Sequence, residues 1–166
     1  MVIIKNIYFI GGPMGVGKTA VSKELTERLN NCVFLDGDWC WASKPFIVNG
    51  ETRTIVIDNI CYLLNNFINS DSYDNIVFCW VMHKQSIIDD ILSKLNLNNC
   101  IIHNISLIAT QNELCNRLNI DINNGIRDND IIERSIEYLN CYSDLNTKKI
   151  DTTNKSIKEI VDAILN

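Results

Sequence analysis

Gly12-Pro13-Met14-Gly15-Val16-Gly17-Lys18-Thr19 is the stretch whose residue types and spacing carry chemistry. It fits G-x-x-x-x-G-K-[ST], a loop that wraps phosphate. Gly12, Gly15 and Gly17 permit backbone angles that turn successive N–H groups toward an anion. Pro13, Met14 and Val16 complete the loop. A helix opening directly after it adds free N–H groups and a positive dipole end. Lys18, expected at the surface of the site, can reach the β- and γ-phosphates of a nucleotide, and the Thr19 hydroxyl can ligate Mg²⁺. From average composition the pattern arises by chance at roughly 10⁻⁵–10⁻⁴ per starting position, which argues against a chance glycine turn. A bound nucleotide follows.

Other candidate groups fall at comparable places. Asp36-Gly37-Asp38 follows a short apolar run: Asp36 is the candidate Mg²⁺ group and Asp38 the candidate base or positioning group for an acceptor hydroxyl. The competing reading is plain turn chemistry, which favours the same residues. Arg117, Arg127 and Arg134 are permanent cations able to grip phosphate in bidentate fashion. Trp39 and Trp41 could stack on a ring or merely pack a loop. His83 and Arg53 are weaker candidates, for a substrate hydrogen bond and an anion contact respectively.

The elements that must position these groups alternate regularly. Strands are expected at Ile3–Ile10, Cys32–Leu35, Asn75–Val81, Cys100–Ala109 and Lys149–Asp151. Helices are expected at Ala20–Asn30, Glu51–Asn69, Ser86–Leu95 with Ser86 as N-cap, Gln111–Leu118, Ile131–Tyr142 and Ser156–Leu165. Near-continuous apolar strands alternating with helices read as a parallel sheet covered on both faces. Ligands of such sheets bind beyond the carboxyl ends of the strands, where Gly12–Thr19, Asp36–Trp39, Val81–His83 and Ala109–Thr110 all fall. The polar segment Asn119–Asp130, with Gly125 and little apolar periodicity, is the candidate mobile insertion.

Composition limits the alternatives. The 166 residues are 46% hydrophobic, enough for one domain with a substantial core. Twenty acidic against fifteen basic residues leave a net charge of −5, so nothing advertises nucleic acid. The seven cysteines are scattered singly with no C-x-x-C pair, which fits packing in a reducing cytoplasm better than metal or redox chemistry. No signal peptide is read, and no apolar run approaches the ~20 residues of a membrane span. Either a monomer or a homodimer is compatible with this composition.

The order of these features resembles the P-loop small-molecule and nucleotide kinases. Asp36-Gly37-Asp38 is similar to the Asp-x-Asp that shikimate kinases carry after the second strand. Ser106-Leu107-Ile108-Ala109, Glu113-Leu114 and Arg117-Leu118 resemble the tunicamycin-resistance type, and the arginine order resembles that of adenylate kinase-like enzymes. The resemblance implies a P-loop NTPase three-layer α/β sandwich: a five-stranded parallel sheet, helices on both faces, and a small lid at residues 119–130 of one 1–166 domain. It implies transfer of the γ-phosphoryl of MgATP to a small-molecule acceptor. Lys18, Asp38, Arg127 and Arg134 would be catalytic, Gly12–Thr19 and Arg117 would bind ATP, and Thr19 with Asp36 would hold Mg²⁺. One departure is plain: no acidic residue ends the third strand. The alternative is an ATPase or nucleotide-sensing module with no acceptor. A GTP switch is disfavoured because Asn154-Lys155-Ser156-Ile157 puts Ile157 where a base-reading Asp belongs, and no D-x-x-G follows the third strand.

Overall fold

A computed structural model describes residues 4–166. Five parallel strands, β1 (Lys5–Gly11), β2 (Cys32–Asp36), β3 (Asn75–Cys79), β4 (Cys100–Ile108) and β5 (Lys148–Asp151), lie in the order β2-β3-β1-β4-β5. The expected start of β1 at Ile3 lies outside the described residues. β1 is central, hydrogen-bonded to β3 on one side and β4 on the other. Its side chains alternate: Ile7 and Phe9 enter the core on one face, Tyr8 and Ile10 the core on the other. That two-sided burial explains why the strand reads as an unbroken apolar run rather than an alternating one.

Helices α1 (Lys18–Arg28), α4 (Gln111–Asn123) and α6 (Ile157–Leu165) supply Val21, Leu25, Leu114, Leu118, Ile160 and Val161 to the second of these cores. Helices α2 (Gly50–Ile68) and α3 (Gln85–Ser93) supply Val56, Ile60, Leu64, Ile88 and Ile91 to the first. α5 (Ile131–Cys141) runs into a short 3₁₀ turn whose Tyr142 is fully buried and donates its hydroxyl to the Val81 carbonyl. All seven cysteines are free. Among the described residues no helix is long and apolar enough to cross a membrane.

Three boundaries depart from the sequence reading in ways that matter. β3 ends at Cys79, two residues early, so Trp80 and Val81 are irregular backbone facing the crevice. Ser86 is not the N-cap of α3; Lys84 is, without a capping side chain. The Gln85 side chain accepts from Asn146 N–H and donates to Asp89, which draws the helix start back toward it. Finally, α4 runs five residues past Leu118, because Leu114, Leu118 and Ile122 continue one apolar stripe at i, i+4 and i+8. It stops at Gly125 (φ 70), where Gly125 N–H bonds Ile122 O and Ile126 N–H bonds Asp121 O. This is a Schellman ending, and it requires a left-handed residue. The non-helical part of the 119–130 segment is therefore 124–130.

Candidate active site

α1 begins with Gly17 in a left-handed conformation, without a capping side chain and without an acidic residue in its first turn. Its leading N–H groups are thus left for an outside acceptor. The loop before it is held from two sides. Gly15 (φ +81) lies against Leu118 so closely that a Cβ would meet its Cδ2 at 2.6 Å. On the other side Ser135 of α5, fully buried, donates to Met14 O at 2.7 Å. The sequence places Lys18 at the surface of the site; in the structure it is half-buried and folded back, its Nζ donating to Gly12 O (2.8 Å) and Pro13 O (3.0 Å). Burial lowers its pKa to about 8, against the pull of Cys79, Asp38 and Asp36.

The tip of β2 meets the loop. Thr19 Oγ1 donates to Asp36 Oδ2 at 2.8 Å, while Asp36 Oδ1 accepts from Asp38 N–H at 3.0 Å. Asp36 is nearly fully buried and caps the 3₁₀ turn Gly37–Cys40 that carries Asp38. The Trp80 side chain packs against Gly37, where a Cβ would meet its Cγ at 2.5 Å, so this turn is fixed from the β3 side as well. Burial raises the Asp38 pKa, helped by Asp36 and opposed by Lys18. The strand register sets Cys79 beside Asp36, at the point where an acid is missing from β3. Its thiol, pushed up to about 12 by burial and Asp36, is a packing group rather than a ligand. Thr19 Oγ1 and the Asp36 carboxylate are hard oxygen donors side by side, which fits Mg²⁺. Among the described residues no three His, Cys, Asp or Glu side chains converge, so phosphate and water oxygens would have to complete a shell.

A crevice of about 1500 Å³ runs from this point across the carboxyl edge of the sheet. Arg117, Arg127 and Arg134 all line it. Arg117 sits in the middle of α4 rather than at a helix end. It bonds Glu113, Val16 O, and both the hydroxyl and carbonyl of Thr152, so its guanidinium plane is locked beside the loop. Arg127 is paired with Asp121 at 3.1 Å, and Arg134, more than half exposed, with Asp130 at 3.5 Å.

The far end of the crevice is aromatic. Trp41 meets Phe46 with ring centroids 4.6 Å apart. His83 stacks on Tyr138 at 4.0 Å with planes 5° apart, and its Nδ1 is buried without a hydrogen-bond partner. Arg53, in the first turns of α2, also lines this end. Trp39 does not; it turns away to pack edge-on against Phe34.

A family profile described as an AAA domain matches residues 9–138, which takes in the loop, the tip of β2, the crevice and all three arginines. The chain belongs to the AAA-domain family. Its fold is that of the P-loop small-molecule kinases. A gluconokinase from Sinorhizobium meliloti superposes with a TM-score of 0.70 at 18% identity, over 99% of this chain and 91% of that one. The tunicamycin resistance protein of Deinococcus radiodurans gives 0.69 at 19% identity, over 96% and 93%. The shikimate kinase from Acinetobacter baumannii, solved with shikimate, gives 0.64 at 21% identity, over 98% and 91%. A search of curated proteins returned no match.

Within this P-loop domain the sequence-predicted Met14, Gly15, Gly17, Lys18 and Thr19 line the crevice together with Asp36, Asp38 and Arg117, whereas Gly12, Pro13 and Val16 are buried and do not line it. Ser135, Thr152 and Trp80 escaped the sequence reading. Ser135 lies 121 positions from its partner Met14, and Thr152 lies 35 from Arg117; neither contact has a local signal. Trp80 offered one: a tryptophan directly at the end of a buried strand.

Proposed function

We propose that this chain is an ATP-dependent kinase, moving the γ-phosphoryl of MgATP to a hydroxyl of a small-molecule acceptor. The observation that carries the reading is Asp38. Its carboxylate, with a raised pKa, lines the same crevice as the phosphate loop and the aromatic residues Trp41, Phe46 and Trp80, where an acceptor has room. A raised carboxyl pKa brings a base closer to the pH at which it can take a proton usefully.

In this reading Gly12–Thr19 cradle the phosphates, and Lys18 swings from its loop carbonyls onto the β/γ oxygens. Arg117 supports the base side. Thr19 and Asp36 hold Mg²⁺, which when bound neutralises charge on the phosphates. The acceptor oxygen attacks the γ-phosphorus, the bond to the β–γ bridging oxygen breaks, ADP leaves, and Asp38 takes the hydroxyl proton. Arg127 and Arg134 exchange Asp121 and Asp130 for the transferring phosphoryl as residues 124–130 close, excluding water that would hydrolyse ATP. The seven free thiols suit the cytoplasmic setting we infer.

Asp38→Asn is the test. It keeps size and hydrogen bonding but not basicity, so turnover should fall about 10²–10⁴-fold with nucleotide-analogue affinity unchanged. Acceptors come from thermal-shift screening of metabolites with and without MgATP, since ligands of the folded state raise its melting temperature. Strongly weakened nucleotide binding with turnover spared at saturation would move Asp38 into the Mg²⁺ shell. ATP hydrolysis that no compound accelerates would favour a nucleotide-sensing module.

A further inference from the structure

We infer that the acceptor is a ring-bearing alcohol that stacks in the aromatic end of the crevice, and not an open-chain one; this rests on the kinase reading above. The wall beside Asp38 is built from Trp41, Phe46, Val48, Ile57, Trp80 and Ile87. Phe46, Ile47 and Val48 are 61%, 51% and 50% exposed, three consecutive large apolar residues that join no core. Full burial of such a side chain is worth roughly 1.5–3 kcal/mol, and two of the three, Phe46 and Val48, line the crevice, so a ring seated there covers apolar surface now left in water. Phe46 is already braced on Trp41, planes tilted by 42°, which presents an aromatic corner rather than a flexible tail. A ring entering between this corner and Trp80 covers both, and its hydroxyl faces Asp38.

Polar groups flank the aromatic corner and leave room for the ring's own substituents: besides Asp38 the crevice carries Arg53, Thr54, His83, Lys84, Ser86 and Asp90. The His83 ring is held flat on Tyr138, and its unpartnered Nδ1 gives one fixed hydrogen-bond position. Burial, with Lys84 and Arg53 nearby, lowers the pKa of this imidazole from its usual value, with Glu137 opposing. An amphiphile with one or two hydroxyls satisfies Asp38 and His83.

The test uses the full chain, saturated with a non-hydrolysable ATP analogue and Mg²⁺, titrated calorimetrically with naphthalenemethanol and, separately, with gluconate. One naphthalenemethanol should bind per chain with a negative heat-capacity change, the mark of apolar burial. Trp41→Ala and Phe46→Ala should each weaken it at least tenfold, Trp41→Phe should restore most of the affinity, and gluconate, which has no ring to stack, should bind at least tenfold more weakly. Absence of naphthalenemethanol binding, unchanged affinity in both alanine variants, or tighter binding of gluconate overturns the inference. The analogue is titrated in the same samples. If it binds normally while the aromatic alcohol does not, the acceptor class is wrong and the kinase reading stands; if the analogue itself fails to bind, the kinase reading falls. Phe46 is exposed, so Phe46→Ala should melt with the parent and carries the test by itself; Trp41 is part-buried against the core, so a lowered melting temperature is expected for Trp41→Ala and Trp41→Phe is its folded control.

Discussion

Thr19 and Asp36, seventeen residues apart, share a hydrogen bond of 2.8 Å that ties the end of the phosphate loop to the tip of β2. The second oxygen of the same carboxylate holds the Asp38 N–H. One side chain therefore spans the phosphate end and the acceptor end of the crevice.

Asp36→Ala should register twice. Losing the cap of the 3₁₀ turn costs about 0.5–2 kcal/mol of stability, readable by chemical denaturation. Losing the oxygen beside Thr19 should cut the Mg²⁺-dependent part of ATP-analogue binding at least tenfold, measured by titrating the analogue with Mg²⁺ and with EDTA. A normal Mg²⁺ increment would leave Asp36 a structural residue only.

Lys18 makes a prediction about protons. Its folded-state pKa of about 8 lies below the ordinary 10.5. Between those values the unfolded chain carries more protons than the folded one, so this lysine's contribution to stability rises with pH across that window and is unfavourable below it. A polyphosphate beside Nζ drives the pKa back up. Binding at pH 8.5 should therefore take up a fraction of a proton, seen by calorimetry in two buffers of different ionisation enthalpy. Lys18→Ala should abolish that uptake and phosphoryl transfer while leaving the fold intact. Equal uptake in the variant would assign the proton elsewhere.

Gly15→Ala should cost about 1–3 kcal/mol, because its positive φ and the Leu118 methyl both oppose a Cβ. It should also weaken nucleotide binding by distorting the loop. Gly50→Ala is the contrast: nothing lies within 4 Å, φ is unstrained, and the residue opens α2. That change should stabilise by about 0.4–1 kcal/mol. Equal effects in urea denaturation would contradict the packing argument.

Residues 124–130 should exchange amide protons faster without nucleotide than with an ATP analogue, whereas 119–123 should be protected in both states as the last turns of α4. Arg127 leaving Asp121 for phosphate is the expected cause. Equal protection of 124–130 in the two states would make it ordinary surface.

The phosphate loop, the parallel sheet and the residues at its carboxyl edge were legible in the sequence, because each is written in local terms: glycine spacing, apolar runs buried on both faces, turn residues after strands. Six helices could be read for the same reason, except where a group from far away set the boundary, as the Asn146 backbone N–H does through the Gln85 side chain at α3. The end of α4 was misread because Asn119, Asp121 and Asn123 masked a stripe whose last member, Ile122, counts only once it packs against the core. What only the tertiary structure decided is which groups face each other. Nothing in the chain order says that Lys18 folds back onto Gly12 and Pro13, that Arg117 is locked by Thr152, or that Trp41 lines the crevice while Trp39 turns to Phe34. Those pairings depend on side-chain directions across elements brought together by the sheet, and hydrogen bonds over 35 or 121 positions leave no periodic trace in sequence.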